Sequence, residues 1–276
     1  MSKVWFVTGS GSGLGAAIAK AALAAGHQVV ASDLDAERLS ELYGPYGDQV
    51  LTARLDIRES HEAEAGVASA LTRFGRIDVL VNNAGYGQFG PFETIGPEAV
   101  ERQFATNVFG TLNVTRAVLP VMRRQREGHV INMSSNGGFK GVSGASMYSA
   151  SKFAIEGFSE SLALEVAPFN IKVSVVEPGA FRTNFLDNQT LRYGGKELED
   201  YADFWVKAKA VFESRNHQQV GDPDKLGSAL VKLADNPAPP FRFVAGADAL
   251  KVVEEKLAAV AAETAAWRDL TLSTDF

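Results

Sequence analysis

Short runs rich in β-branched residues alternate along this chain with longer stretches rich in Ala, Leu and Glu. The candidate strands are Val4 to Thr8, Gln28 to Asp33, Val50 to Asp56, Val79 to Asn82, His129 to Met133, Lys172 to Glu177 and Phe241 to Ala245. Between and after them lie candidate helices at Gly13 to Ala25, Ala36 to Tyr43, Ser60 to Phe74, Pro97 to Gln125, Tyr148 to Ala167, Pro223 to Asp235 and Ala247 to Arg268. Strands separated by helices of this length cannot pair as tight hairpins, so the alternation predicts repeated βαβ units. The fold class is therefore α/β: a doubly wound parallel sheet of about seven strands with helices on both faces.

No low-complexity linker or repeat divides the chain, which predicts one domain over residues 1–276. At 46% apolar and 22% charged residues, no large segment is too polar to fold. The net charge of -6, spread over interleaved acids and bases, argues against a nucleic-acid partner, which would need a basic stripe. With no cysteine, disulfides, thiolate metal sites and sulfur nucleophiles are excluded. The four histidines lack ligand spacing, so no metal is expected. No stretch approaches the roughly 18 consecutive apolar residues of a membrane span, and the N-terminus enters a glycine loop instead of a cleavage site. The expectation is no membrane partner and a cytoplasmic protein.

In a parallel sheet, ligands bind beyond the carboxyl ends of the strands. The first candidate strand runs into Gly9, Gly11, Ser12, Gly13, Leu14 and Gly15 and then into an alanine-rich helix. Glycines let the backbone approach a pyrophosphate, and a helix start offers unpaired N–H groups and positive dipole. The second strand ends at Asp33, either a carboxylate for the adenosine ribose hydroxyls or the cap of the next helix. Neither Ser12 nor Leu34 brings a fixed positive charge for a 2′-phosphate, so the expected cofactor is NAD. After the third strand, Asp56 and Ile57 either meet the adenine, with Asp56 accepting from its amino group, or precede a helix that Asp56 caps.

The loop has the form T-G-x-x-x-G-x-G, and further on come Asn82-Asn83-Ala84-Gly85, Asn107, Ser135, Tyr148 with Lys152, and Pro178-Gly179. Together these motifs resemble the single-domain short-chain dehydrogenases/reductases, over roughly residues 3–247. The resemblance implies a Rossmann domain. It also implies that Asn83, Ala84 and Gly85 flank the adenine side of the cofactor and that Pro178, Gly179 and Thr183 flank the nicotinamide. It further implies a homodimer or homotetramer, with the helices of Asn107 and Tyr148 commonly at the interface.

Tyr148 and Lys152 stand at an i, i+4 spacing, which puts both side chains on one helix face. A phenol of pKa about 10 is a poor base near neutrality, but a neighbouring ammonium and a nicotinamide cation favour its phenolate. Tyr148 is then the expected general acid/base for hydride transfer between NAD(H) and a secondary alcohol or ketone. By the resemblance, Ser135 bonds the substrate oxygen, Lys152 also binds the nicotinamide ribose, and Asn107 supports Lys152 through a water. Ser134-Ser135-Asn136-Gly137-Gly138 lacks the G-x-S-x-G of a nucleophile elbow, which excludes serine hydrolysis. A cofactor-binding regulator of the same fold is the alternative from another class.

Residues 178–221 carry Phe181, Phe185, Leu186, Leu191, Tyr193, Tyr201, Phe204, Trp205 and Phe212, the content of an apolar lid. With Tyr86, Phe89, Phe139 and Met147 in other loops, they predict a small apolar alcohol or ketone as partner, although such rings also serve to anchor a lid. Beyond Ala247, Val252, Val253, Leu257, Val260 and Trp267 form a helical stripe. That stripe predicts a 247–276 extension docked on the domain, either as a buttress of the lid or as a distant clasp.

Overall fold

Val4, Trp5, Phe6 and Val7 are all buried, which places the first strand at the centre of the molecule. The computed structural model describes residues 2–187, 191–195 and 198–276, without the side chains of Phe212, Glu213 and Arg215. In chain order the main elements are β1 (Val4–Thr8), α1 (Gly13–Ala24), β2 (Gln28–Asp33), α2 (Ala36–Tyr43), β3 (Val50–Arg54), α3 (Ser60–Phe74), β4 (Val79–Asn82) and β5 (Gly87–Phe89). There follow α4 (Pro97–Phe104), α5 (Thr111–Gln125), β6 (Gly128–Met133), α6 (Ser146–Val166), β7 (Ile171–Pro178), β8 (Leu191–Tyr193), α7 (Ala202–Arg215) and α8 (Pro223–Asp235). The chain closes with β9 (Arg242–Ala245), α9 (Ala247–Ala266) and α10 (Arg268–Leu272).

Seven strands form one parallel sheet in the order β3-β2-β1-β4-β6-β7-β9. Alternation along each strand feeds two cores. Trp5 and Val7 join Ile18, Leu39 and Leu230 on one face, while Val4 and Phe6 join Val67, Val118 and Leu162 on the other. Each large apolar side chain so buried stabilises the fold by about 1.5–3 kcal/mol before entropy is counted. The order reverses at β1, with β2 on one side and β4 on the other, and this opens the crevice where α/β proteins bind ligands.

Three features depart from the sequence reading. The expected helix from Pro97 to Gln125 is continuous but widens into a π-helical stretch at Ala105–Gly110, the stretch that carries Asn107. Such widenings are frequent at functional sites, and this one re-aims a side chain without ending the helix. The 178–221 segment builds structure of its own, because β8 pairs in parallel with β5 and α7 follows it. The extension forms a helix, but its stripe is covered only at its start: Val252 and Val253 are half-buried, while Leu257 is 57%, Val260 43% and Trp267 63% exposed. Helical periodicity shows that a face exists and says nothing about what covers it. Among the described residues no helix is long and apolar enough to cross a membrane, and no group of three or more His, Asp or Glu side chains is placed to hold a metal.

Candidate active site

The glycine loop is clipped to the end of β4. Thr8 Oγ1 accepts from the backbone N–H groups of Asn83 (3.0 Å) and Ala84 (3.1 Å), and Asn83 Nδ2 donates to the carbonyls of Thr8 and Gly9 at 3.0 Å each. Gly9 has φ +65°, and a Cβ there would come within 2.8 Å of Ala84 Cα. A Cβ on Gly15 would run into the Gly9 carbonyl. Both positions therefore require glycine, and the packing keeps the loop low over the start of α1.

That helix start is open to an anion. Ser12, the N-cap, makes no capping bond with its side chain, and no acidic residue lies in the first turn. The N–H groups of the first turn, at Gly13, Leu14 and Gly15, are thus left without a capping side chain, and the helix dipole favours negative charge beside them. A dinucleotide pyrophosphate fits this cradle, with Ser12 at its rim. Thr183 Cβ stands 3.6 Å from where a Gly13 Cβ would be, so the 178–183 loop closes over the same spot.

Asp33 does not cap α2; Asp35 does, accepting from Arg38 N at 2.9 Å. Asp33 instead accepts from Gly11 N at 2.9 Å and from Asp35 N at 3.3 Å, which fixes its carboxylate beside the glycine loop. Nor does Asp56 cap α3. Its carboxylate is held by Arg58, whose Nε lies 2.9 and 3.1 Å from the two oxygens, and this hydrogen bonding keeps the carboxyl below its usual pKa. The sequence reading missed Arg58. Ile57 is buried, and its carbonyl accepts from Asn113 Nδ2 at 3.1 Å.

At the far end of the crevice, Pro178 closes β7 and Gly179 N donates to Ala245 O at 2.9 Å. Asp248, in the first turn of α9, accepts from Ala180 N at 2.7 Å and its carboxylate fills the space that a Gly179 side chain would need. Asp248 also went unread, because nothing in a helix's first turn signals which distant loop it faces.

Tyr148, Lys152 and Ser135 converge. All three are buried, and the Lys152 Nζ stands 5.9 Å from the Tyr148 ring centroid. Lys152 Nζ donates to Met133 O at 2.8 Å, so the end of β6 fixes the ammonium. Burial draws the Lys152 ammonium down to about 8, opposed by Glu156 one turn on. Burial also pushes the Tyr148 phenol up, while its hydrogen bond with Ser135 pulls it back. Ser135 Oγ accepts from Gly137 N at 3.0 Å and donates to Asn136 Oδ1 at 3.1 Å.

Asn107 lies behind this set. Its amide donates to Tyr86 O (3.0 Å) and to Ser151 Oγ (3.2 Å) and accepts from Tyr86 N (3.1 Å), and Ser151 Oγ in turn donates to Tyr148 O at 2.7 Å. Gly85 leaves room for it, since a Cβ there would stand 3.1 Å from Asn107 Oδ1. The π-helical stretch thus ties the strand-end loop at Gly85 and Tyr86 to the start of α6.

The aromatic residues divide into two groups. Phe89 meets the Tyr148 ring edge-on at 5.6 Å, Phe185 lies 5.8 Å from it, and Leu186, Leu191, Tyr193 and Trp205 belong to the same apolar cluster. Phe181 packs into the main core, and the Arg242 guanidinium lies 5.9 Å from the Phe139 ring. Tyr86 is outside the apolar cluster of Tyr148, with the Arg192 guanidinium 5.2 Å over its ring. The Phe212 side chain lies outside the described residues.

Residues 3–193 match the family model described as short chain dehydrogenase. This chain belongs to the short-chain dehydrogenase/reductase family. A short-chain dehydrogenase from Streptomyces avermitilis is 41% identical in sequence, with a TM-score of 0.92 over 100% of both chains. A 3-ketodihydrosphingosine reductase from Bacteroides thetaiotaomicron is 40% identical over 88% of each chain. A 3-ketoacyl-(acyl-carrier-protein) reductase from Brucella melitensis, solved with NADH, is 27% identical with a TM-score of 0.75, covering 90% of this chain and 97% of its own. The likeness to the Streptomyces avermitilis structure extends over the whole chain, including the C-terminal helix.

Proposed function

We propose that the protein, acting as one dinucleotide-binding and catalytic domain, transfers a hydride between NAD(H) and a hydrophobic secondary alcohol or ketone, with Tyr148 as general acid/base. The observation that carries this reading is the phenol of Tyr148, buried between Lys152 and Ser135 on one side and Phe89 and Phe185 on the other. The cofactor supplies the hydride acceptor and donor. Gly9, Ser12, Gly13, Leu14 and Gly15 receive its pyrophosphate, Asp33 its adenosine ribose, and Asp56, Ile57, Asn83, Ala84 and Gly85 the adenine side. Pro178, Gly179 and Thr183 bound the nicotinamide side.

In oxidation, Ser135 holds the substrate hydroxyl and Tyr148 accepts its proton as the carbinol carbon loses hydride. In reduction, Tyr148 returns the proton to the carbonyl oxygen. Lys152, fixed by Met133 O, keeps positive charge near the phenol and stabilises its ionised form. Asn107 positions the start of α6 through Ser151. NAD over NADP is supported by the Asp33 carboxylate, fixed where a 2′-phosphate would meet like charge. The apolar cluster around Tyr148 supports an apolar substrate, and so does the likeness to a 3-ketodihydrosphingosine reductase.

Tyr148→Phe keeps the ring and removes the exchangeable proton. Turnover with NAD and a panel of apolar secondary alcohols, followed as NADH absorbance, should fall by about 10²-fold or more while NADH binding survives. Near-normal turnover in that variant would reject the mechanism. No turnover of any alcohol or ketone by the wild type, with NADH bound, would leave a cofactor-binding regulator.

A further inference from the structure

Helix α9 leaves the body of the protein after its first turns. Asp248 and Ala249 are held against it and Glu255 reaches Lys140 at 3.2 Å, but every residue from Leu257 to Phe276 is exposed. This helix, about 30 Å long, projects well beyond the surface that holds its first turns, and the sequence on it is patterned. Leu250, Val253, Leu257, Val260, Thr264 and Trp267 follow one another at alternating spacings of three and four, the a and d positions of a heptad repeat. Four of these six, Leu250, Leu257, Val260 and Trp267, are between 43% and 63% exposed. Such a seam is narrower than the stripe that buries a helix on its own domain, and it suits pairing with one other helix.

We propose that this seam joins two copies of the chain through antiparallel pairing of their α9 helices. The register follows from residue types. With Leu257 of each arm against the partner's Val260, Leu250 falls on the partner's Trp267 and Val253 on the partner's Thr264, and two-fold symmetry repeats all three layers. The one polar seam residue, Thr264, thus meets a side chain of nearly its own shape. On the flank, Lys256 of each arm faces the partner's Glu263, giving two attractive pairs. A shift of one heptad would instead set Glu263 against the partner's Glu263. The contact is self-complementary and closes on itself, so it yields a discrete dimer of arms and not a filament. The arm lies within the full-length match to the Streptomyces avermitilis structure, as a shared functional element would. The interface is independent of the catalytic reading above.

The chain contains no cysteine, so thiols can be introduced one pair at a time. In the full-length protein, Leu257→Cys with Val260→Cys should form an interchain disulfide under mild oxidation. Adding Lys256→Glu should slow cross-linking by roughly tenfold or more, through like-charge repulsion on the flank, and adding Glu263→Lys as well should restore it. The same charge series is followed by sedimentation of the cysteine-free protein at micromolar concentration, where the swapped double variant should recover the wild-type mass. Absence of the interchain disulfide, or a cross-linking rate indifferent to the charge at position 256, overturns the proposal. A wild type that sediments as a monomer overturns it as well.

Discussion

Glu156 stands one turn beyond Lys152 on α6, buried, and Arg242 bridges it to the fully buried Glu177 and outward to Glu160. Burial pushes both Glu156 and Glu177 above the usual carboxylate range, and Arg242 opposes this. In its ionised form, which Arg242 favours, Glu156 is the charge that raises Lys152 against its own desolvation. Charges one helical turn apart, about 6 Å, interact by about 3 kcal/mol at an effective dielectric of about 20, or up to about 2 pK units. Tyr148 and Lys152 titrate as a coupled pair, because ammonium with phenolate and amine with phenol carry the same net charge. Removing a neighbouring anion makes proton loss from that pair easier. In Glu156→Gln the acid limb of kcat/KM for alcohol oxidation should therefore move to lower pH by about 1–2 units. The plateau should fall, because the ammonium–phenolate form loses its support. The assay is the pH profile from 5.5 to 10 by NADH absorbance, with NADH affinity and melting temperature as controls. An acid limb that stays in place or moves to higher pH, in a variant that still folds and binds NADH, would show that Glu156 does not act on the pair electrostatically.

Asp33→Asn keeps an acceptor for Gly11 N while removing a charge, so kcat/KM with NADP should rise by roughly tenfold or more; an unchanged preference would mean that Asp33 does not face the 2′ position. Asp248→Ala frees Ala180 N and should weaken NADH binding by about 5–30-fold, the cost of about 1–2 kcal/mol for an unpaired donor, read by fluorescence titration. Unaltered affinity would reduce that contact to a fold clasp. Burial lowers His129 from 6.5 to about 4, so the histidine is neutral in the fold and binds a proton more readily once unfolded. Its contribution is therefore present above pH 6.5 and lost as pH falls toward 4, amounting to about 2 kcal/mol between pH 7.5 and 5. Urea unfolding at the two pH values should show this slope in the wild type and a flatter one in His129→Gln.

The parallel sheet, the glycine loop and the pairing of Tyr148 with Lys152 were legible in the sequence because each depends on local order. Period two and period 3.6 mark strands and helices, glycine marks a turn, and an i, i+4 spacing shares a helix face. What followed from chain folding over long distances was not legible. Whether Asp33 and Asp56 cap a helix was open in the sequence; in the fold Asp33 bonds Gly11 and Asp56 bonds Arg58 instead, and Asp35 takes the cap of α2. Asp248 lies almost seventy residues from the Ala180 amide that it holds, and no spacing rule spans that gap. Tyr86 and Phe89 look alike in sequence, yet Phe89 packs on Tyr148 while Tyr86 stacks against Arg192, a contact across more than a hundred residues. The stripe on α9 was correctly read as a helical face, but not as an uncovered one. An amphipathic pattern records which side chains avoid water; which surface excludes that water is decided only when separate parts of the chain, or separate chains, come together.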